Sequence, residues 1–561
     1  MNDSNGSTAD LVFVNGPVYT VDAARSWARA VAVKGGRILA VGSDDDVREH
    51  VGPHTEVVDL AGRMLLPGFQ DAHSHPPGSG LEMLRCNLTE LYSLDDYRRV
   101  IVEYATDNPD TPWITGGGWY MDVFPGGTPT KEILDAIVPD RPAFLMNRDG
   151  HGAWVNSRAL ELAGIKRDTA DPRDGRIERT ADGEPSGTLH EGAMSLVEDV
   201  APVDTDVDFA EGLRVAQTYL HSLGITAWQD ANVGLDGGYR TFDTYVAAAG
   251  RGELTARVVG ALWWDRHRGL EQIEALVDAR LRGAVGRFAP TSVKIMQDGI
   301  IENFTAATLT PYLDAHGDET TNAGISFVDP ELLKEAVTRL DALGFQTHFH
   351  ALGDRAVREA LDAIEAARDA NGPSDNRHHL AHIQIVHPDD IPRFHQLGAV
   401  ANGQPLWAAH EGQMDNLTIP FIGPDRASWQ YPFASLVRAG ATLAFGSDWS
   451  VSSPDPLLEM HVAVERRGPE EAVSTFGEGI TEVFLPEERI DLATAIGAFT
   501  MGTAYVNHQD DTTGSIEVGK FADLAVIDQN LFEVPSSEIW KAHVELTFVE
   551  GDCVFDASQA S

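Results

Sequence analysis

Residues 64–75 read MLLPGFQDAHSH: an apolar run meets a Pro-Gly pair, and two histidines then stand one residue apart. On a β-strand, side chains two positions apart share a face, so His73 and His75 point the same way, with Asp71 one step below. An HxH pair alone decides little, because histidines near strand ends can be hydrogen-bonded as readily as metal-bound. What the pair means depends on the fold that carries it.

From about residue 64 to residue 455 one pattern recurs: a short apolar strand, polar residues at its end, then a helical stretch such as ELLKEAVTRLDAL. After MLLPGFQDAHSH come GITAWQDAN from Gly224, ARVVGALWW from Ala256, TSVKIMQDG from Thr291 and GFQTHFHALG from Gly344. HHLAHIQIVH from His378, GAVANGQPLW from Gly398 and ATLAFGSDWSV from Ala441 complete a set of eight. Eight apolar strands alternating with helices predict an α/β fold, a TIM-like (β/α)8 barrel whose crossover helices cover the outer face. Chemistry in such barrels gathers at the C-terminal ends of the strands. Lys294 faces inward on the fourth strand with Ser292, Met296 and Asp298, while Val293 and Ile295 face the helices. An unpaired lysine there is costly, which favours a functional role over a buried ion pair. His350 ends the fifth strand, His382 the sixth and Asp448 the eighth. Four histidines, one lysine and one aspartate are therefore expected to converge at one end of the barrel.

Two regions fall outside this rhythm. DLVFVNGPVYTVD, AVAVKGGRILAVG and TEVVDLAG near the start, and GSIEVGKFADLAVID and VELTFVEGDCVF near the end, read as alternating strands. Neither group makes a good sandwich alone, so both chain ends are expected to build one small composite β-sandwich domain. The expected boundaries are 1–66 and 505–561 for that domain and 67–504 for the barrel, with a long insertion at about 78–223 after the first strand. An insertion of this length is expected to be functional.

The chain has 561 residues, 43% of them hydrophobic and 23% charged, as in an ordinary globular protein. Its formal charge of −44 opposes nucleic acid and anionic membrane surfaces as partners. Seven lysines leave 35 of the 42 basic residues as arginine. That acidic, lysine-poor balance suits a salt-rich cytoplasm or a GC-rich genome alike, and reads first as a solvated acidic surface. No run of eighteen apolar residues and no basic, apolar leader in the first fifteen positions point to a cytoplasmic protein. Cys86 and Cys553 do not make a disulfide framework.

The motifs PGFQDAHSH, DGHGAWVNSRAL, KIMQDG, HALGDRAV, LAHIQ, GSDWSV and GSIEVGKFADLAVID together resemble the amidohydrolase superfamily of metal-dependent hydrolases. Within it the chain is similar to amidohydrolase family 3, whose members include N-substituted formamide deformylases. The resemblance implies one or two divalent metal ions, zinc first among them. It places His73 and His75 on the deeper ion and His350 and His382 on the more exposed one, with Asp448 as both ligand and proton shuttle. Lys294 stands where relatives carry a lysine that can be carboxylated and bridge two metals. Relatives are commonly dimers, so the resemblance also implies a homodimer. The chemistry agrees: neutral imidazoles and a carboxylate suit zinc, and a bound metal brings the pKa of its water to about 7. A lysine ammonium would oppose two dications, whereas its carbamate would not.

The substrate is less constrained. Trp119, Tyr120, Trp154, Trp407 and Trp449 are expected to line the pocket, favouring a small apolar or aromatic N-substituted amide. Gly118-Trp119-Tyr120 stands where relatives often have Gly-Trp-Asp. His348 adds a second HxH, read with Asp71 as support behind the ligands. His151 is a candidate for contacting the tetrahedral intermediate, whereas Arg148 and Glu191 read as structural and Cys86 is not assigned to the metal. Hydrolysis of a linear amide or formamide is the first reading. A cyclic amide or carbamate hydrolase or a deaminase is the alternative, and a regulatory protein without catalysis comes third.

Overall fold

The computed structural model describes residues 8–235, 240–472 and 478–559. The run 64–75, expected as one strand, forms two. Met64–Pro67 joins a sheet made with the C-terminus, and Phe69–Ser74 opens the barrel. The break falls at Gly68, where an added Cβ would lie 2.5 Å from both Cγ2 and Oγ1 of Thr226. Only glycine lets the backbone pass so near the second barrel strand.

The barrel strands are β1 (Phe69–Ser74), β2 (Ile225–Val233), β3 (Arg257–Trp263), β4 (Phe288–Met296), β5 (Gln346–Ala351), β6 (His379–His382), β7 (Val400–Gly403) and β8 (Leu443–Phe445). Each pairs with the next in parallel, so all eight expected strands are present in chain order. The ring is closed just beyond β8. Asp448 donates its N–H to the His73 carbonyl at 2.7 Å, and His75 donates to the Trp449 carbonyl at 3.0 Å. Asp71 adds a side-chain clasp, accepting from Ser447 N at 3.1 Å and Ser447 Oγ at 2.5 Å. Gly446 permits the approach, since a Cβ there would meet His73 N at 2.4 Å.

The intervening helices follow local signals. The helix before β5, Pro330–Ala342, is capped by the Asp329 carboxylate on Glu331 N and Leu332 N and begins on proline. Its buried stripe is Leu333, Ala336, Val337 and Leu340. That stripe joins Phe69, Trp228, Val293, Ile295, Phe349 and Leu380 from the outer faces of the strands in the largest core cluster. The lumen is different, because Gln70, Gln229, Gln346, His348, His379 and Asn402 are all at most 3% exposed. Polar groups in such numbers are tolerable inside only when hydrogen-bonded to each other.

The two chain ends share a sheet, Leu524–Ile527 running antiparallel to Met64–Pro67. A four-stranded sheet of Leu11–Val14, Ala30–Lys34, Arg37–Gly42 and Glu56–Asp59 packs on it through Phe13, Val31, Val33, Leu65, Val526 and Phe548. The insertion is no slack loop. It carries its own six-stranded sheet from Cys86–Asn87 to Pro185–Glu191, and then the helix Asp206–Ser222, which returns to the barrel wall. Among the described residues no helix is long and apolar enough to cross a membrane, and Cys86 and Cys553 are both free.

Arg257, at the start of β3, fastens the β-sandwich to the barrel floor. It meets Asp523 at 3.0 Å and Glu550 at 2.5 Å, and its guanidinium lies 3.9 Å from the Phe521 ring centroid. Arg257→Ala leaves the buried Asp523 carboxylate unpaired and is expected to cost about 3 kcal/mol in denaturant unfolding. A midpoint equal to that of the unaltered protein would show that the sandwich is held by its apolar face alone.

Candidate metal centre

The site begins with the strand ends. Parity sends His73 and Lys294 into the lumen, and their tips meet, with Lys294 Nζ 3.3 Å from His73 Nε2. Asp448, just past β8, reaches back across the closure to His73 Nε2 at 3.2 Å and His75 Nε2 at 2.9 Å. His382, at the end of β6, brings its Nδ1 to 3.9 Å from the other Asp448 oxygen. Asp448 and His382 hold left-handed backbone at φ +55° and +75°, strain of the kind that gathers at functional sites. The His382 N–H is steadied there by the Gln404 carbonyl at 2.9 Å.

His73, His382 and Asp448 offer ligand atoms that all lie within 4.8 Å of one another, and all three residues are buried. Both ring nitrogens of His382 lack a hydrogen-bond partner among the described residues, though the ring is only 2% exposed. A bare lone pair in that position is costly unless something electrophilic takes it. This donor set therefore fits a divalent cation such as zinc, with His75 beside it. His350 is placed differently: its ring lies 4.5 Å from that of His382, but its Nδ1 faces Asp298 at 3.3 Å. It flanks the trio.

Electrostatics keep the imidazoles ready. Burial, reinforced by the Lys294 charge, lowers His73 to about 3, and burial holds His348, His350, His379 and His382 well below the usual range. All are neutral near pH 7 and present lone pairs. Burial would raise Asp448, but His73, His75 and His382 outweigh it and keep the carboxylate ionised. Burial also brings Lys294 down to about 7, against the pull of Asp448 and Asp230.

Which nitrogen each histidine presents is set from below. The Gln229 carbonyl lies 2.6 Å from His348 Nδ1 and 2.9 Å from His379 Nε2, so both rings donate to it. His348 Nε2 is then a lone pair, and it accepts from His73 Nδ1 at 2.7 Å. His73 Nε2 then presents its lone pair on the side of Lys294 Nζ and Asp448. Gln229 is itself anchored by donating to Gln346 Oε1 at 3.0 Å and Asn507 Oδ1 at 2.8 Å. The second HxH thus supports the first, since the inner nitrogen of His348 is spent on His73. Asp71, raised to about 7 by burial, touches the backbone N–H of His73 and not its ring.

A cavity of about 400 Å³ opens above these groups, and the insertion roofs it. His151 comes from that roof, with Nδ1 3.0 Å from Glu191 Oε1, which also accepts from Thr305 Oγ1 at 2.8 Å. Burial pulls the His151 pKa down, yet Glu191 more than offsets it, and the net shift is upward. Sequence reading left Glu191 structural; here it orients His151, a contact made across two separate turns of the inserted sheet. Asp230, at the end of β2, also lines the cavity and accepts from Tyr245 at 2.8 Å. Its place at a barrel strand terminus was the available signal. Arg148 forms the ion pair expected of it, with Glu411 at 3.2 Å and Asp149 at 3.6 Å.

The aromatic residues divide. Trp407 stacks on His382 at 5.4 Å, and Tyr120 and Trp449 line a neighbouring cavity. Trp119 and Trp154, expected on the pocket wall, lie instead in the core of the insertion. They pack on each other at 6.3 Å, and their indole N–H groups are spent on the carbonyls of Leu145 and Thr130.

A family profile described as "Amidohydrolase family" matches residues 56–555. The chain is 31% identical to Protein LONG AFTER FAR-RED 3 of Arabidopsis thaliana, over 97% of this chain and 91% of that protein. It is 28% identical to the N-substituted formamide deformylase of Arthrobacter pascens, over 97% of each. Among solved structures it superposes on an uncharacterised metal-dependent hydrolase from Pyrococcus horikoshii OT3 with a TM-score of 0.72, at 23% identity, covering 94% of this chain and 99% of the other. The profile spans the barrel strands and the β-sandwich strands that follow them, and the chain belongs to the amidohydrolase family.

Proposed function

We propose that this protein hydrolyses the C–N bond of a small N-substituted amide or formamide, releasing an amine and an acid. The reading rests on the buried trio of His73, His382 and Asp448, whose central histidine is bare on both nitrogens among the described residues. A divalent ion, zinc by the donor set, held by His73, His75, His382 and Asp448 would supply Lewis-acid polarisation of the scissile carbonyl and acidify the attacking water. A second ion, if bound, would be held by His350 and Lys294. In that case the Lys294 amine, condensed with carbon dioxide and shorn of a proton, would present an anionic carbamate. The similarity to a formamide deformylase favours a linear amide.

The chain's own residues account for the proton transfers. Asp448 is ionised and faces the cavity, so it takes the proton of the attacking water and returns it to the leaving nitrogen. His151, held through Nδ1 by Glu191 and with its pKa raised, donates from Nε2 toward the oxygen that gains charge as the carbonyl becomes tetrahedral. Trp407, stacked on His382, and the walls beside it accommodate the N-substituent. We read the protein as cytoplasmic, in keeping with two free cysteines, and as a homodimer by likeness to its relatives.

Asp448→Asn is expected to retain the far-ultraviolet circular dichroism of the parent and lose about 1,000-fold or more in kcat on a formamide substrate. Full turnover would mean that another group is the base. Lys294→Ala is expected to lose activity that short carboxylic acids partly restore; unaltered turnover would make the lysine a packing residue. Gln229→Met removes the carbonyl that sets both imidazoles and should weaken zinc affinity, read by chelator competition, by about 10–100-fold. Unchanged affinity would show that the tautomer of His73 is fixed elsewhere. A screen of formamides, acyl amines, lactams and aminopurines with products identified by mass checks the reaction class, and ammonia release would replace amide hydrolysis with deamination.

A further inference from the structure

The main cavity of about 400 Å³ adjoins an annexe of about 50 Å³. His151, His350, His382 and Asp448 line both, so a carbonyl carbon held at these groups borders a large space and a small one. The annexe is built by the segments that follow β4 to β7: Ile300 and Glu302, then Leu352, then Gln384, and last Trp407, Gln413 and Met414. Its volume is room for about four water molecules. Trp407 also lines the neighbouring cavity beside Tyr120 and Trp449, and so stands between that cavity and the annexe.

The walls are firm. Ile300, Leu352 and Met414 are each at most 5% exposed, and close-packed side chains of this kind give way only at a cost. The polar groups among them are mostly spoken for. Gln384 Nε2 donates to Gln430 Oε1 at 3.1 Å, Gln413 Nε2 donates to Asp149 Oδ2 at 3.0 Å, and Glu302 accepts from the Thr418 hydroxyl. Burial raises the Glu302 carboxyl to about 7, which removes much of its charge near neutral pH. Gln413 Oε1 is the exception: it is buried and has no hydrogen-bond partner among the described residues.

An N-substituted amide has two halves, and the one that carries the N-substituent needs the larger space. The annexe is then left for the group on the other side of the carbonyl carbon. A long alkyl chain would overfill it and cover Gln413 Oε1 without offering a proton, whereas a short or hydroxylated group would do neither. We propose that the annexe is the acyl subsite, that Leu352 and Met414 limit its occupant to formyl, acetyl or hydroxyacetyl, and that Gln413 Oε1 accepts from an acyl hydroxyl. This rests on the hydrolysis proposed above and narrows the acid released to formic, acetic or glycolic acid.

The test uses the full-length, zinc-loaded protein and N-benzyl amides that differ only in the acyl group: formyl, acetyl, hydroxyacetyl, propanoyl and butanoyl. From formyl to acetyl kcat/KM is expected to hold within about tenfold, and for butanoyl to fall by about 100-fold or more. Hydroxyacetyl should exceed propanoyl, its equal in heavy atoms, by about fivefold, and this advantage should vanish in Gln413→Leu. Met414→Ala and Leu352→Ala should each raise butanoyl relative to formyl by about tenfold, a ratio that a general loss of activity does not move. Butanoyl cleaved as well as formyl, or a ratio unchanged in both variants, overturns the acyl subsite and leaves the hydrolase standing. A hydroxyacetyl advantage that survives Gln413→Leu overturns the role of that carbonyl. Where no amide is cleaved, calorimetric titration with acetate against butanoate and glycolate against propanoate decides. Preference for the shorter and the hydroxylated acid supports the annexe and defeats the hydrolase reading; equal affinities defeat both.

Discussion

The hydrogen bond from His73 Nδ1 to His348 Nε2, 2.7 Å long, is the interaction on which the centre depends. It has one direction only, because His348 must spend its other nitrogen's proton on the Gln229 carbonyl. Reversing any member would set two donors or two lone pairs against each other in a buried lumen, at about 1–3 kcal/mol for each group left unsatisfied. The same network that makes a polar barrel interior stable therefore decides which face of His73 is available for a metal. Stability and function share the same atoms here.

A second constraint is the closure of the barrel. The first and last strands are far apart in the chain, yet Asp448 and His73 are joined through both backbone and side chain. The clasp of Asp71 on Ser447 holds the first-strand histidines and the last-strand carboxylate at one separation. The left-handed backbone at Asp448 and His382 is sustained by these surroundings, which have no slack in which to relax it. Within a molecule of charge −44, the trio gathers neutral rings around the ionised Asp448. That contrast suits it to hold a cation.

The insertion and the segments around Trp449 add what the barrel lacks. One supplies His151 and Glu191 above the site, and the other forms a wall between two chambers. The insertion lies outside the barrel ladder, whereas Trp449 is tied into its closure through the His75 N–H. Family membership therefore speaks to the reaction class more firmly than to the substrate.

Much was legible in the sequence alone. Period-two alternation and the residues ending each apolar run identified all eight strands, and parity pointed His73 and Lys294 into one lumen, whereas His75 falls just past the end of β1, where strand parity no longer applies. Tertiary structure decided the rest. The split at Gly68 depends on pairing with Leu524–Ile527, which no local pattern announces. Trp119 and Trp154 are core because the inserted sheet folds over them, and an indole in sequence is equally fit for a wall or a core. Gln229, His379 and Asn402 look like ordinary polar strand residues until their neighbours are known, since a hydrogen bond's partner and direction are properties of three-dimensional neighbours and not of chain order. Glu191 passed from structural to orienting for the same reason: His151 reaches it only once the insertion has closed over the barrel.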